Sequence, residues 1–453
     1  MSQNNNFLGT EPIGRLLLKL SLPAIAAQII NLLYNLVDRV YIGHMPGNGS
    51  LALTGVGVCM PVIMIVSAFA ALISSGGAPR ASIAMGKGDK EEAERILSNS
   101  FSLQLIISII LMICLLLFNK PLLLAFGASE NTIEFANSYM NIYAIGTIFV
   151  QLTLGMNAFI TAQGFAKTGM LSVLIGAVCN IILDPIFIYK FSMGVRGAAL
   201  ATIVSQAVST IWILHFLTGS KTIIRIRKKY MKFQKSVILP GIALGLAPFI
   251  MQASESVIIV CFNSSLLKYG GDMAVGAMTI LSSVMQFSML PMQGLGQGAQ
   301  PITSYNFGAK NTVRVKKTFM LLLTCTTFFS LFIWVIIMLF PHIFAMAFSP
   351  DKELIDFTAY VMRIYCLAMG VFGAQIACQF TFTAIGKAKE SILIAVMRKF
   401  ILLLPLIYIV PHFVENKTNG VYLAEPIADF ISVIFAVILF YFRFTKEMKS
   451  VKK

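Results

Sequence analysis

Three carboxylic acids, Asp38, Asp184 and Glu255, lie inside long apolar stretches of this sequence. A charged side chain deep in a bilayer costs several kcal/mol, so it usually faces a cavity or a partner group. We therefore predict that Asp38 and Asp184 bind a cation or carry a proton, against the alternative of a structural hydrogen bond or ion pair. Both interpretations stay open for Glu255, because Pro248 could distort its helix and change its depth.

Amide side chains accompany Asp38 at helical spacing. Gln28, Asn31, Asn35 and Asp38 are separated by 3, 4 and 3 residues, so they share one face of a helix. Arg39 points about 100° away around the same helix, so we do not expect it to neutralise Asp38.

A second pair, Asn180 and Asp184, also shares a helix face because its members are four residues apart. An acid and an amide on each of two helices could enclose a small cation, with sodium held at Asp38, Asn180 and Asp184. The same groups could instead carry a proton on one carboxyl group. The structural alternative is that the amides only bridge helices.

The remaining candidate residues give weaker signals. Glu425 and Asp429 stand near the start of the last apolar segment, so we expect them in solvent at its outer end. The 35 Phe and 24 Met residues, among them Met285 and Phe287, could line an adaptable pocket for organic ligands. Packing in the core or against lipid is the competing interpretation for each of them.

Transmembrane helices are the elements that must position these residues. Of the 453 residues, 57% are hydrophobic and 12% are charged, which is about half the charged fraction of a soluble domain. A helix of about 20 apolar residues crosses a hydrocarbon core. We predict an all-α polytopic membrane protein with twelve transmembrane helices. The predicted spans are 20–43, 52–78, 96–118, 136–162, 169–189, 197–217, 237–263, 273–299, 318–340, 357–383, 391–411 and 420–442.

The two halves of the chain repeat at a constant offset, the one that separates Pro79 from Pro301. Gly86 and Gly308 are separated by the same offset, and further clusters of identities share it. Six spans per repeat is an even number, so we predict two parallel six-helix lobes related by a pseudo-two-fold axis along the membrane normal. A cavity between such lobes suits alternating access. The predicted domains are an N-terminal lobe 1–217, a basic cytoplasmic connector 218–236 and a C-terminal lobe 237–453.

The distribution of basic residues predicts the orientation. The net charge is +16, from 35 Lys and Arg against 19 Asp and Glu. Twenty-five of the basic residues fall on the N-terminus, the even connectors and the tail, six on the odd connectors and four inside spans. The positive-inside rule therefore places both termini in the cytoplasm of a multi-pass protein in the plasma (inner) membrane. Because no basic domain stands apart from the spans, the bilayer and not nucleic acid is the expected partner.

Other function classes find little support in the sequence. The seven cysteines are scattered without a CxxC pair, and no HExxH, GxSxG or P-loop motif occurs. We therefore expect neither an enzyme nor a bound cofactor. The N-terminal apolar run is long and polar enough to be a retained first span and not a signal peptide.

Several motifs together resemble the multidrug and toxic compound extrusion (MATE) family over nearly the whole chain. They are LVDRVYIG (36–43), NIILDPIF (180–187), GVRGAALAT (194–202) and the stretch 291–309, with Gly298, Gln300-Pro301 and Tyr305-Asn306-Phe307-Gly308-Ala309. The resemblance implies twelve helices in two lobes, a V-shaped central cavity and export driven by inward proton or sodium flux. It also implies a first-lobe cation site formed by Asp38, Asn180, Asp184 and Thr202. Some relatives carry an acid on the tenth span, which this sequence lacks.

The predicted function is secondary active multidrug efflux by cation antiport, with a proton or sodium moving in and small organic cations moving out. The protein is expected to act as a monomer. The alternative is a lipid-linked oligosaccharide flippase of the same superfamily, which usually needs a strongly basic cavity. The residues predicted to line the cavity or bind substrate are Gln28, Asn31, Asn35, Asn157, Glu255, Met285 and Phe287.

Overall fold

The computed structural model describes residues 7–47 and 49–450, and this part of the chain contains helices but no strand. Twelve helical crossings follow one another, which confirms the predicted fold class. We number them α1 to α12 in chain order. Their bounds are Ile13–Gly43, Gly49–Gly86, Lys90–Ala125, Ile133–Ala162, Ala166–Lys190, Val195–Thr218, 235–270, 272–308, Thr312–Leu339, Lys352–Tyr365 with Met369–Ala384, Ala388–His412 and Lys417–Ser450.

Two of these crossings belong to one long hydrogen-bonded segment, Lys235–Gly308. Unbroken, its 74 residues would span about 110 Å, several times the thickness of a hydrocarbon core. The segment breaks at Gly271, whose φ of 65° and ψ of −162° are not helical. Glycine adopts this conformation without the steric penalty of a Cβ atom, so the chain reverses there between α7 and α8.

The internal repeat is visible in how the helices begin and end. Asp89 caps the start of α3 and Asn311, at the equivalent position of the second half, caps the start of α9. Each accepts a backbone N–H with its side chain. Gly164 follows α4 and Gly386 follows α10, with φ values of +89° and +76°. Equivalent positions in the two halves therefore use the same local chemistry, as expected for two related six-helix lobes.

The two lobes, α1–α6 and α7–α12, meet through close helix crossings near the end of the molecule that carries both termini, here called the terminal end. A Cβ atom on Gly76 of α2 would overlap the carbonyl oxygen of Gly241 on α7, and one on Gly245 would overlap that of Leu72. Small residues allow helix backbones to approach closely in a membrane. The glycines therefore permit the closed arrangement of the lobes at this end.

Substituting alanine for Gly76 is expected to force α2 and α7 apart at the terminal end. Spin labels at Lys90 in the first lobe and Lys316 in the second should report a distance distribution shifted to longer values by electron–electron double resonance. The control is Gly57→Ala on the same helix, because a Cβ atom at Gly57 meets no atom within 4 Å. Identical distributions for Gly76→Ala and the unsubstituted protein would refute this steric account.

The connector 218–236 packs against the first lobe. The side-chain oxygen of Gln163 accepts a hydrogen bond from the backbone N–H of Ile224 at 3.0 Å, and Ile224 is fully buried. The Arg227 guanidinium donates to the Glu94 carboxylate at 3.1 Å. These contacts anchor the connector to α3 and to the end of α4, so its basic residues lie beside the first lobe.

Candidate functional site

A buried polar cluster in the first lobe brings together the acids of α1 and α5. Asp38 and Asp184 are both buried, and Asp184 is 0% exposed. Their carboxyl groups lie within hydrogen-bonding reach of each other. Asn180 donates from Nδ2 to Asp184 Oδ1 at 3.2 Å, across one turn of the same helix. Two carboxylates this close repel each other unless a proton or a cation compensates their charge.

The backbone around Asp184 departs from regular α-helix. Pro185 follows the acid directly, and Ile186–Lys190 forms a π-helical turn. Proline has no N–H to donate to the preceding turn of the helix, so the carbonyl of Ile181 loses its usual partner. Single π-helical turns occur often at functional sites, because they change the direction of neighbouring side chains. The local sequence therefore places an irregular turn next to the buried acid.

Three members of the cluster were missed by sequence reasoning. Tyr34 lies next to Gln206 on α6, and Tyr139 of α4 lies next to Thr202. The spacing could have revealed two of them, since Tyr34 is four residues before Asp38 and Gln206 is four after Thr202. Tyr139 carries no such signal, because it is not at helical spacing from any acid or amide of the predicted cluster.

Four buried side-chain oxygens of the cluster receive no N–H or O–H donor from the described residues. A buried acceptor without a donor costs about 1–3 kcal/mol, so such groups usually indicate a bound proton, ion or water. The neighbouring Arg39 is exposed, as its direction around α1 predicts. The four atoms are Asp38 Oδ1, Asn180 Oδ1, Asp184 Oδ2 and Gln206 Oε1.

The oxygen chemistry of this cluster suits a hard monovalent cation or a proton. Carboxylate, amide and hydroxyl oxygens are the ligands that hard cations prefer. Within residues 7–47 and 49–450, no three His, Cys, Asp or Glu side chains come together as a metal site. A sodium ion would therefore need Asn180 and Thr202 in addition to the acids Asp38 and Asp184.

The other amides of α1, Gln28, Asn31 and Asn35, lie on the same side of the helix as Asp38 but make fewer contacts with the acid cluster. Asn35 donates from Nδ2 to the backbone oxygen of Asn31 at 2.7 Å, on its own helix. Gln28 and Asn31 are half-buried, and their side chains form no hydrogen bond to another described helix. The amide stripe thus extends from the acid cluster towards the terminal end.

Asn157 lies away from the acids and joins two helices. Its Nδ2 donates to the backbone oxygen of Gly169 at 3.3 Å, and its Oδ1 accepts from Ser172 at 3.2 Å. Gln379, at the equivalent position of the second half, donates in the same way to Ser391 at 2.6 Å. The equivalent contact in both lobes gives Asn157 a role in packing α4 against α5.

The apolar candidates on α8 have different environments. Met285 packs against the core of the second lobe, with its Sδ 3.9 Å from Cys366 Sγ. Phe287, two residues later, is exposed. The structure therefore does not place both side chains on one surface.

The second lobe contains a buried ionic cluster that contradicts one expectation. Glu425 and Asp429 were expected in solvent, but they are only 6% and 3% exposed. Arg398 of α11 donates to Asp429 Oδ1 at 2.6 Å and to Glu425 Oε1 at 3.0 Å, and it stacks over the Phe372 ring at 4.6 Å. The expectation was wrong because α12 begins at Lys417, which places both acids two to three turns inside the helix.

A second ion pair lies beside this cluster. Lys399 of α11 donates from Nζ to Glu255 Oε2 of α7 at 2.6 Å. The Lys399 side chain is 5% exposed, whereas that of Glu255 is 46% exposed. Both Arg398 and Lys399 stand in the π-helical stretch Met397–Leu403. The irregular winding of α11 thus presents two neighbouring cations to different helices, α12 and α7.

A family model, sequence relatives and solved structures all match this chain over most of its length. The MatE family model matches residues 23–186 and 247–409. The multidrug export protein MepA of Staphylococcus haemolyticus (strain JCSC1435) is 22% identical over 429 residues, which are 95% of this chain and 93% of that protein. A crystal structure of MATE in the bent conformation superposes with a TM-score of 0.93 at 23% identity, over 100% of both chains. An outward-facing multidrug resistance MATE family transporter of the MOP superfamily gives 0.91 at 23% identity, over 100% of this chain and 99% of that one.

Proposed function

Because this chain belongs to the MatE family, we propose that it is a secondary active transporter that exports small organic compounds by cation antiport. The observation that carries the proposal is the buried first-lobe cluster, whose two acids form no ion pair with a basic side chain among the described residues. Export of several drugs is supported by similarity to the multidrug export protein MepA. Transport of this kind needs no enzymatic chemistry and no bound cofactor.

The first-lobe cluster supplies the coupling step of this proposal. An incoming proton or sodium ion binds at Asp38 and Asp184, with Asn180 and Thr202 as neutral oxygen donors. Cation and substrate favour opposite-facing states of the lobes 1–217 and 237–453, so entry of one drives exit of the other. A ligand can shift a conformational equilibrium only by its difference in affinity for the two states.

The proposed setting is the plasma (inner) membrane, with both termini in the cytoplasm and the protein acting as a monomer. In this orientation the terminal end is the cytoplasmic end. The glycine-mediated crossings at Gly76 and Gly245 then close the cytoplasmic side. The exported compounds are organic cations, because buried acids and Glu255 give the interior negative groups.

A lipid-linked oligosaccharide flippase is the less favoured function. Such a protein needs cationic side chains exposed to its cavity to bind a pyrophosphate. Here the two neighbouring cations of α11, Arg398 and Lys399, are buried and paired with acids. They therefore cannot present a basic surface to an anionic lipid in this state.

Ethidium transport in proteoliposomes tests the proposal and identifies the coupling ion. A proton gradient and a sodium gradient are imposed separately, and the fluorescence of ethidium is followed over time. We expect uphill transport under one of the two gradients and its loss when an ionophore collapses that gradient. Ethidium transport at the same rate with and without either gradient would overturn the antiport mechanism.

A further inference from the structure

In the second lobe, two basic side chains stand on α11, the helix equivalent to α5, which holds Asn180 and Asp184 in the first lobe. By the offset of the internal repeat, α7, α11 and α12 correspond to α1, α5 and α6, the helices that supply the acids and amides of the first-lobe cluster. Arg398 and Lys399 of α11 align with Gly176 and Ala177 of α5. The two acids of the first-lobe cluster therefore have no basic partner among the described residues, whereas the acids of the equivalent helices in the second lobe are paired with Arg398 and Lys399.

The two cations differ in how completely they are enclosed. The Arg398 side chain, Glu425 and Asp429 are all at most 8% exposed, so this part of the cluster is sealed inside the lobe. Lys399 is equally buried, but its one acid partner, Glu255, has almost half of its side chain exposed. Lys399 therefore contacts the Glu255 side chain from within the lobe, and the rest of that side chain borders open space.

The open space beside Glu255 lies between the lobes. A carboxylate within a membrane span does not face lipid, because hydrocarbon cannot solvate it. Ser256, the next residue of α7, contacts Met64 of α2 in the other lobe, with its Oγ 3.8 Å from Met64 Sδ. This turn of α7 therefore stands at the boundary of the two lobes, and the exposed part of Glu255 faces the space they enclose.

We propose that Glu255 binds the positively charged group of an exported organic cation and that Lys399 is a tethered competitor which the cation displaces. This inference rests on the proposed export function and names the substrate-recognition group within it. A Lys ammonium at 2.6 Å occupies the same carboxylate oxygen that a ligand cation needs. Lysine is a flexible point charge with rotatable donors, so it can withdraw when a ligand supplies the positive charge.

The competition makes an unusual prediction for Lys399→Met. Binding of tetraphenylphosphonium to the purified protein should become about tenfold tighter or more, because the internal competitor is gone. Glu255→Gln should weaken the same binding by about tenfold, and the double variant should behave like Glu255→Gln. Uncharged triphenylphosphine oxide should bind all variants equally. Equilibrium dialysis measures each dissociation constant.

Two further variants separate this role from a structural one. Lys399→Arg retains a cation beside Glu255 and should bind tetraphenylphosphonium no more tightly than the unsubstituted protein does. A fold defect caused by removing the pair would instead weaken the binding of both probes together. Lys387→Met breaks an equally short ion pair, Lys387 to Glu447 at 2.6 Å, at the terminal end of the same lobe. It should leave binding of both probes unchanged.

Failure of the displacement inference can be distinguished from failure of the antiport proposal. Binding is measured without any ion gradient, whereas antiport is tested by gradient-driven transport. If the protein transports ethidium but Lys399→Met binds tetraphenylphosphonium no more tightly than before, the displacement inference fails and the antiport proposal stands.

Discussion

Replacing Asp38 by asparagine is expected to lower the ethidium concentration ratio that an ion gradient sustains by about 5- to 150-fold, the range that corresponds to coupling free energies of about 1–3 kcal/mol. Asparagine has nearly the same shape but can neither take up a proton nor balance the charge of a sodium ion. The variant should still bind ethidium at equilibrium, because the loss is in coupling and not in the substrate site. Transport in proteoliposomes and binding to the purified protein measure the two quantities.

The matched control is Asp272→Asn, which changes an exposed acid at the start of α8. It should transport as the unsubstituted protein does. Asp184→Asn should resemble Asp38→Asn, and the double variant should be little worse than either, because the two carboxyl groups act as one unit. Full gradient-driven efflux by Asp38→Asn would remove the first-lobe cluster from the mechanism.

Replacing Arg398 by methionine is expected to lower the free energy of unfolding by about 3–5 kcal/mol, as when one partner is removed from a buried ion pair. The substitution leaves Glu425 and Asp429 facing each other on one face of α12 without their shared cation. The protein should show a lower unfolding temperature in detergent, measured by differential scanning fluorimetry. Expression in the membrane should fall in parallel.

A neutral variant and an exposed control test the electrostatic explanation. The triple variant Arg398→Met, Glu425→Gln, Asp429→Asn removes all three charges and should recover most of the lost stability. Arg443→Met removes a more exposed arginine, 3.7 Å from Glu390, and should cost no more than about 1 kcal/mol. Equal losses for Arg398→Met and Arg443→Met would contradict the assignment of a buried, desolvated cluster.

The predictions for Asp38→Asn and Arg398→Met follow from a difference in how the two lobes compensate the charge of their buried acids. The first lobe buries Asp38 and Asp184 with amides and hydroxyls, and in the proposed mechanism a mobile ion compensates their charge. The second lobe compensates Glu425 and Asp429 with Arg398, which cannot leave. We therefore expect the first set of substitutions to affect coupling and the second to affect stability.

The sequence determined the fold class, the lobes and half of the candidate site. Apolar stretches of about 20 residues and the constant offset between the two halves are local or periodic signals, and each was sufficient to place spans and repeats. The spacing of four residues between Asn180 and Asp184 predicted that both side chains lie on one helix face, and the structure adds a hydrogen bond between them. The predicted spans 237–263 and 273–299 leave a connector that contains Gly271, where the structure reverses the chain.

Only the tertiary structure decided which side chains meet across helices. Arg398 pairs with acids 27 and 31 residues away, and Lys399 pairs with Glu255 at a separation of 144 residues. Such pairs depend on how each helix is rotated about its axis and at what depth it packs, and neither quantity follows from local hydropathy. For this reason the sequence placed Glu425 in solvent and gave no sign of Tyr139. Helix packing buried the one and brought the other to Thr202.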